Sequence, residues 1–262
     1  MTIKEAIHRT AGRLEAAGVP DPQIDAELLV MHVTGFDRMS MRLGSTTQLT
    51  MEQEQRLSSL LLSRAQRKPL QYLLGTQYFY GLPFSVDERV LIPRQETESL
   101  CELGIAHLRT LKGECRALDL CTGSGAIAVT LKHEHPAANV TACDLSADAL
   151  AVAQQNAKAN GAEITFLQGD LWEPVCGMRF DLILSNPPYQ TDFSVAKGFI
   201  EKGFNRLKIG GRLCMVTKRR EWYKNKLISV FGGVEIRETD GYYVFIAQRR
   251  SMSYAEKAKK RK

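Results

Sequence analysis

The stretch DLILSNPPYQ, Asp181 to Gln190, sets a carboxamide, two prolines and an aromatic ring in a row at Asn186, Pro187, Pro188 and Tyr189. The apolar run before them reads as a buried strand. Proline has a fixed φ and no backbone N–H, so the pair ends the ladder and holds the following loop rigidly. The Asn186 side-chain oxygen and the Pro187 carbonyl can accept the two N–H bonds of a planar nitrogen, while the Tyr189 ring packs on its plane. Such a nitrogen has a delocalised lone pair and is a poor nucleophile. It needs orientation, and stabilisation of the charge it develops, more than it needs a strong base. Asn186, Pro187 and Tyr189 are the candidate catalytic residues, and with Pro188 they are the candidate substrate contacts.

A second constellation lies upstream in DLCTGSGAIAV, Asp119 to Val129. Gly123 and Gly125 allow tight turning where a strand gives way to a helix, and the free amides and positive dipole end there favour an electron-rich ligand. Asp144 ends the next strand, in TACDLS, where a carboxylate can accept both hydroxyls of a ribose. Asp144 or Ser146 could equally serve as the N-cap of the following helix, and the two roles are compatible. Asp170 closes TFLQGD at the end of a third strand.

These groups need a scaffold that brings strand ends together. From Arg116 the chain alternates short apolar strands (ALDL, NVTACD, EITFLQ, FDLILSN, GRLCMVTK, VEIRE, YYVFIAQ) with amphipathic segments expected as helices over 125–133, 147–160, 199–207 and 222–230. That alternation predicts an α/β fold built on a mainly parallel seven-stranded sheet covered on both faces, with ligands at the carboxyl ends of its strands. Upstream, apolar residues at helical spacing (Ile3, Ala6, Ile7; Ile24, Leu28, Leu29; Leu57, Leu60, Leu61) predict a helical bundle over 1–68. Residues 69–95 turn aromatic and β-rich, punctuated by Gly75 and Gly81, and predict a linking β-hairpin. The main domain is expected over 96–250, and 251–262 as a basic disordered tail.

The chain has 262 residues, 44% of them apolar and 24% charged, which fits one large core with a smaller module. No stretch reaches the roughly 18 apolar residues that a membrane helix requires, and MTIKEAIHRT lacks the layout of a secretory signal, so a cytoplasmic location without membrane contact is expected. Six cysteines without a C-x-x-C pair read as buried thiols, and the histidines are placed for no metal. The net charge of +6 is concentrated in the last eight residues, AEKAKKRK, so the body is nearly balanced. Such an end can attract phosphates or simply solubilise the chain.

The glycine loop resembles that of the class I S-adenosylmethionine-dependent methyltransferases, whose strand carries D-L-G-x-G-x-G. Cys121 stands where the first glycine is expected, a substitution that fits unless the site requires a positive φ. The resemblance implies that Asp119, Cys121, Thr122, Gly123, Ser124, Gly125, Asp144, Asp170, Leu171 and Asn186 form the cofactor site. It places Asp170 at the adenine amino group, Leu171 as an apolar edge, and Asn186 near the reactive methyl. The N-terminal portion, with DAELLVMHVTGFDR and RKPLQYLLGTQYFYGLPFSVDERVLIPRQETE, is similar to the bacterial release-factor glutamine methyltransferases, and N-P-P-Y is that family's form. This implies methylation of a glutamine side-chain amide in a peptide chain release factor, with 1–68 recognising that protein. Gln95 departs from the family's P-R-P-E-T-E, and an insertion expected after Tyr189 is missing. The stretch from Ser194 to Gln248 is similar instead to small-domain RNA methyltransferases acting on a guanine amino group. Lys218, Arg219 and Arg220, near the cofactor mouth, could therefore contact ribosomal RNA phosphate or an acidic protein surface.

Overall fold

The structure, a computed structural model, describes residues 1–187 and 193–254. Pro188, Tyr189 and the tail from residue 255 lie outside the described residues. The chain divides into two compact units, Met1–Thr76 and Gln77–Lys262.

The first unit contains helices α1 (Ile3–Ala16), α2 (Pro22–Thr34), α3 (Arg38–Leu43), α4 (Met51–Ala65) and α5 (Leu70–Leu74). Two starts are set by reciprocal capping: Thr2 with Glu5 opens α1, and Thr50 with Gln53 opens α4. The apolar residues read at helical spacing, among them Ile3, Ala6, Leu29, Leu57 and Leu61, share one core. Arg64 Nε meets the largely buried Asp25 carboxylate at 2.6 Å and its guanidinium also donates to the Lys68 carbonyl, so the ion pair is satisfied where it sits. The stretch from Pro69, read as hairpin throughout, opens instead with α5. Leu70 joins the bundle core, and Gly75 at φ 73° ends the turn.

The second unit opens with the hairpin of β1 (Thr76–Phe79) and β2 (Leu82–Ser85), followed by α6 (Gln95–Leu108). Next come β3 (Cys115–Leu120), α7 (Ala126–Glu134), β4 (Ala138–Asp144), α8 (Ala147–Ala159), β5 (Thr165–Gln168) and β6 (Phe180–Ser185). The last elements are α9 (Phe193–Arg206), β7 (Leu207–Thr217), α10 (Arg220–Phe231), β8 (Glu235–Thr239) and β9 (Tyr242–Gln248). The described residues form a seven-stranded sheet in the order β5-β4-β3-β6-β7-β9-β8, parallel except that β9 runs against both its neighbours. Alternate residues of each strand face opposite layers. Ala117, Leu182, Leu184 and Val216 pack with α6 and α7, and Leu118, Ile183, Leu213 and Met215 pack with α9 and α10.

Order and register position the site. The chain leaves β3 toward β4 on one side and returns to β6 on the other, which opens a crevice at the carboxyl end of β3. Register pairs Leu120 with Cys143, Asp144 with Gln168, and Asp119 with Leu184, so the ends of four strands share one edge. Ser185 Oγ donates to the Leu120 carbonyl at 2.5 Å and closes the β3/β6 pair there.

Two local expectations are corrected, and the Gln95 departure is accounted for. Helix α9 begins at Phe193 rather than Phe199, and Gly198 within it costs only propensity: a Cβ there would meet nothing within 4 Å. Gln95 is exposed at the first helical position of α6, so the N–H it adds where the similar family has proline needs no helical partner and can be met by solvent. Cys176 is an exposed thiol in the turn region after β5, whereas Cys101, Cys115, Cys143 and Cys214 are buried as expected.

Candidate functional site

The loop after β3 is wound by three left-handed residues, Cys121 at φ 64°, Gly123 at 54° and Gly125 at 81°. The site therefore does require a positive φ at Cys121. A side chain in that conformation costs roughly 1–2 kcal/mol, which explains why the similar family carries glycine there. Gly125 is needed for a second reason, since a Cβ would sit 3.0 Å from Ala153 Cβ of α8. A Cβ on Gly123 would meet nothing within 4 Å, so that side of the loop faces open space.

Asp119 holds the loop from beneath. It is fully buried, and its Oδ2 accepts the Thr122 hydroxyl at 2.5 Å and the Ala128 N–H at 3.1 Å. Its Oδ1 is buried without a partner. Burial raises this carboxyl to about 7, against the lowering effect of the two hydrogen bonds, and the nearby Asp144 charge adds to the rise. Asp144 shapes the loop from the next strand: its Oδ2 accepts the Gly123 N–H at 2.8 Å and its Oδ1 the Ser146 N–H at 3.1 Å. Ser146 caps α8 through its own hydroxyl, so the Asp144 carboxylate is not spent on that helix. Each of its oxygens has a further lone pair for a ligand hydroxyl.

After β5 the backbone is again unusual. Gly169 lies at φ 156°, where a Cβ would come within 2.7 Å of Pro174, and Leu171 lies at φ 44°. At the end of β6, Asn186 Nδ2 donates to Thr97 Oγ1 of α6 at 3.0 Å. That contact ties the amide to α6 through its nitrogen.

One cavity of about 790 Å3 brings these groups together. Cys121, Thr122, Gly123, Ser124, Asp144, Asp170, Leu171, Asn186 and Pro187 line it. Asp119 and Gly125 do not, and they act through the loop. Pro188 and Tyr189 lie outside the described residues. The lining also includes groups the sequence did not single out: Phe79 of the hairpin, the segment Arg89 to Arg94, Thr97, Tyr223 and Tyr242. Lys218 lies there too, its ammonium 4.6 Å from the Tyr242 ring centroid.

Asn156 of α8 is another missed residue. Its Oδ1 accepts the Ser85 N–H at 2.7 Å, and its Nδ2 donates to the Ser85 and Ser124 carbonyls at 3.0 and 2.8 Å. It thereby ties the hairpin to the glycine loop. A signal existed, because an asparagine falls among Leu150, Ala153 and Ala157 on the buried face of α8.

The described lining contains no histidine, and burial pushes the Cys121 and Cys143 thiols up to about 12. Neither thiol is a nucleophile at neutral pH. What the cavity offers is shape, backbone amides, carboxylates and a held amide, which is equipment for orienting a ligand.

Comparison with known proteins agrees with this arrangement. Residues 100–246 match the family described as methyltransferase small domain, and residues 5–75 match the PrmC N-terminal domain. The release factor glutamine methyltransferase of Geobacter sulfurreducens is 41% identical over 188 residues, covering 72% of this chain and 65% of that protein. That of Koribacter versatilis is 41% identical over 190 residues, covering 72% of this chain and 68% of that one. The match thus spans about two thirds of the length of these relatives. A T. thermophilus 16S rRNA methyltransferase solved with AdoMet and guanosine superposes with a TM-score of 0.57 at 23% identity, over 67% of this chain and 50% of that one. This last likeness is one of fold.

Proposed function

Because this chain belongs to the release factor glutamine methyltransferase family, we propose that it transfers a methyl group from S-adenosylmethionine to the side-chain amide nitrogen of a glutamine in a peptide chain release factor. The observation that carries the reading is the placement of the Asn186 amide in the same cavity as the glycine loop and Asp144. The residues fit the cofactor. The open side of Gly123 leaves room for its methionine portion, Asp144 offers two carboxylate oxygens to the ribose hydroxyls, and Asp170 and Leu171, which line the same cavity, are proposed for the adenine. When bound, the cofactor supplies an electrophilic methyl on a sulfonium.

The protein's part is to make a poor nucleophile reactive. The Asn186 oxygen and the Pro187 carbonyl accept the two N–H bonds of the substrate amide, turn its nitrogen toward the methyl, and stabilise the positive charge that grows as the new N–C bond forms. The nitrogen sheds one proton, which leaves toward solvent. Tyr189 is assigned the face of the amide plane.

A protein substrate also suits the first unit. Its helix α3 exposes Met39 at 65% and Leu43 at 81%, one turn apart, and Met51 at the start of α4 is 79% exposed. Apolar side chains of this kind serve contact with protein better than contact with a phosphate backbone. The proposed site of action is the cytoplasm, where release factors work.

The reading is tested by incubating the full chain with radiolabelled cofactor, release factor and ribosomal subunits. Label should appear in the release factor, on a peptide containing glutamine. Label in ribosomal RNA alone, with a rate falling steeply as salt rises, would replace the glutamine assignment by an RNA one. The cofactor site has its own test. Asp144→Ala should weaken S-adenosylmethionine binding by about 1–3 kcal/mol, the cost of hydroxyls left without partners. Calorimetry showing unchanged affinity would remove Asp144 from the ribose site.

A further inference from the structure

We infer that Thr97 is a positioning residue for methyl transfer, acting through Asn186, and this rests on the reading of Asn186 given above. Thr97 is 5% exposed, lines the cavity, and places its Oγ1 3.0 Å from Asn186 Nδ2. A carboxamide can rotate by half a turn and exchange its oxygen for its nitrogen. An inverted Asn186 would aim two N–H donors at a substrate amide that itself presents N–H donors, and the nitrogen would lose an acceptor and be repelled. With Nδ2 held against the Thr97 hydroxyl, the amide is tethered to α6 by its nitrogen end, and the oxygen is the end left for the substrate.

Both ends of this contact are fixed by rigid elements. Thr97 sits in the first turn of α6, where its N–H bonds the Arg94 carbonyl at 3.0 Å. Helix α6 lies so close on β6 that a Cβ at Gly104 would come within 3.0 Å of both Leu184 methyl carbons. Two residues past Leu184, the strand delivers Asn186, with Ser185 bonded across to β3. Neither α6 nor β6 can shift without loss of packing, so the side-chain contact inherits their precision.

The same geometry gives a role to the segment before α6. Pro93 and Arg94 line the cavity directly before the turn that carries Thr97. Pro93 fixes the lead-in to this turn as Pro187 fixes the residue after Asn186.

The test compares Thr97→Val, which keeps shape and removes the hydroxyl, with Thr97→Ser, which keeps the hydroxyl. Thr97→Val should lower kcat about tenfold to a hundredfold with the cofactor Kd unchanged, and Thr97→Ser should restore most of the rate. A Thr97→Val enzyme within twofold of the unaltered protein, or a serine variant as slow as the valine one, would overturn the inference. A readout independent of turnover separates this failure from that of the substrate reading. In 15N-labelled protein the side-chain amide pair of Asn186, assigned by its disappearance in Asn186→Ala, should shift and exchange faster in Thr97→Val but not in Thr97→Ser. Unmoved amide signals in Thr97→Val would sink the proposal even if no glutamine substrate is found.

Discussion

Asn186→Ala should cut kcat for release factor methylation by a hundredfold or more while S-adenosylmethionine binds almost as before. The asymmetry follows from where the amide acts. On the proposed reading, Asn186 Oδ1 accepts from a nitrogen whose N–H bonds become more acidic as the N–C bond forms, so the hydrogen bond strengthens on the way to the transition state. Loss of one preorganised group of this kind costs about 3–4 kcal/mol in water-excluded sites. On the proposed reading, cofactor affinity rests mainly on the loop after β3, Asp144 and the turn after β5, whereas the Asn186 amide is tied to Thr97 of α6. Single-turnover rates with saturating release factor, paired with calorimetry for the cofactor, measure the two effects separately. Near-normal turnover would mean that another group orients the nitrogen.

A second large effect concerns pH and Asp119. Its carboxyl lies at about 7 when folded against an ordinary 3.8, chiefly because burial disfavours the charged form. Between these two values the folded protein holds a proton that the unfolded chain has released. Stability from this group is therefore fully present below about pH 4 and declines as pH rises through 7, with a total loss of up to about 4 kcal/mol. Asp119→Asn keeps an acceptor for Thr122 and Ala128 and removes the titration. Urea unfolding from pH 4 to 8 should show the unaltered protein losing stability relative to Asp119→Asn as pH rises. Parallel curves would mean that Asp119 stays ionised throughout.

The sequence by itself determined the fold class, because the alternation of apolar strands with amphipathic helices is a local pattern that only a covered parallel sheet satisfies. It also determined the polar strand-end groups of the cavity. Gly123, Asp144, Asp170 and Asn186 each lie at or just past the end of a strand, and a parallel sheet must bring such positions to one edge. Each of those residues can be read without knowing its neighbours in space.

What only the tertiary structure decided are relations between distant segments. Thr97 and Asn186 are 89 positions apart, and Ser85 and Asn156 are 71 apart. No local period links either pair, so which threonine holds the amide and which asparagine ties the hairpin to the loop depended on how α6 and α8 dock. The left-handed backbone at Cys121 was likewise a property of the folded loop, set by the bonds from Thr122 to Asp119 and to the Cys143 carbonyl. Asp119 could be named from the sequence as part of the site, but its position beneath the loop and the upward push on its carboxyl follow from burial. A chain read residue by residue carries no measure of the water excluded around a carboxyl, and packing alone supplies it.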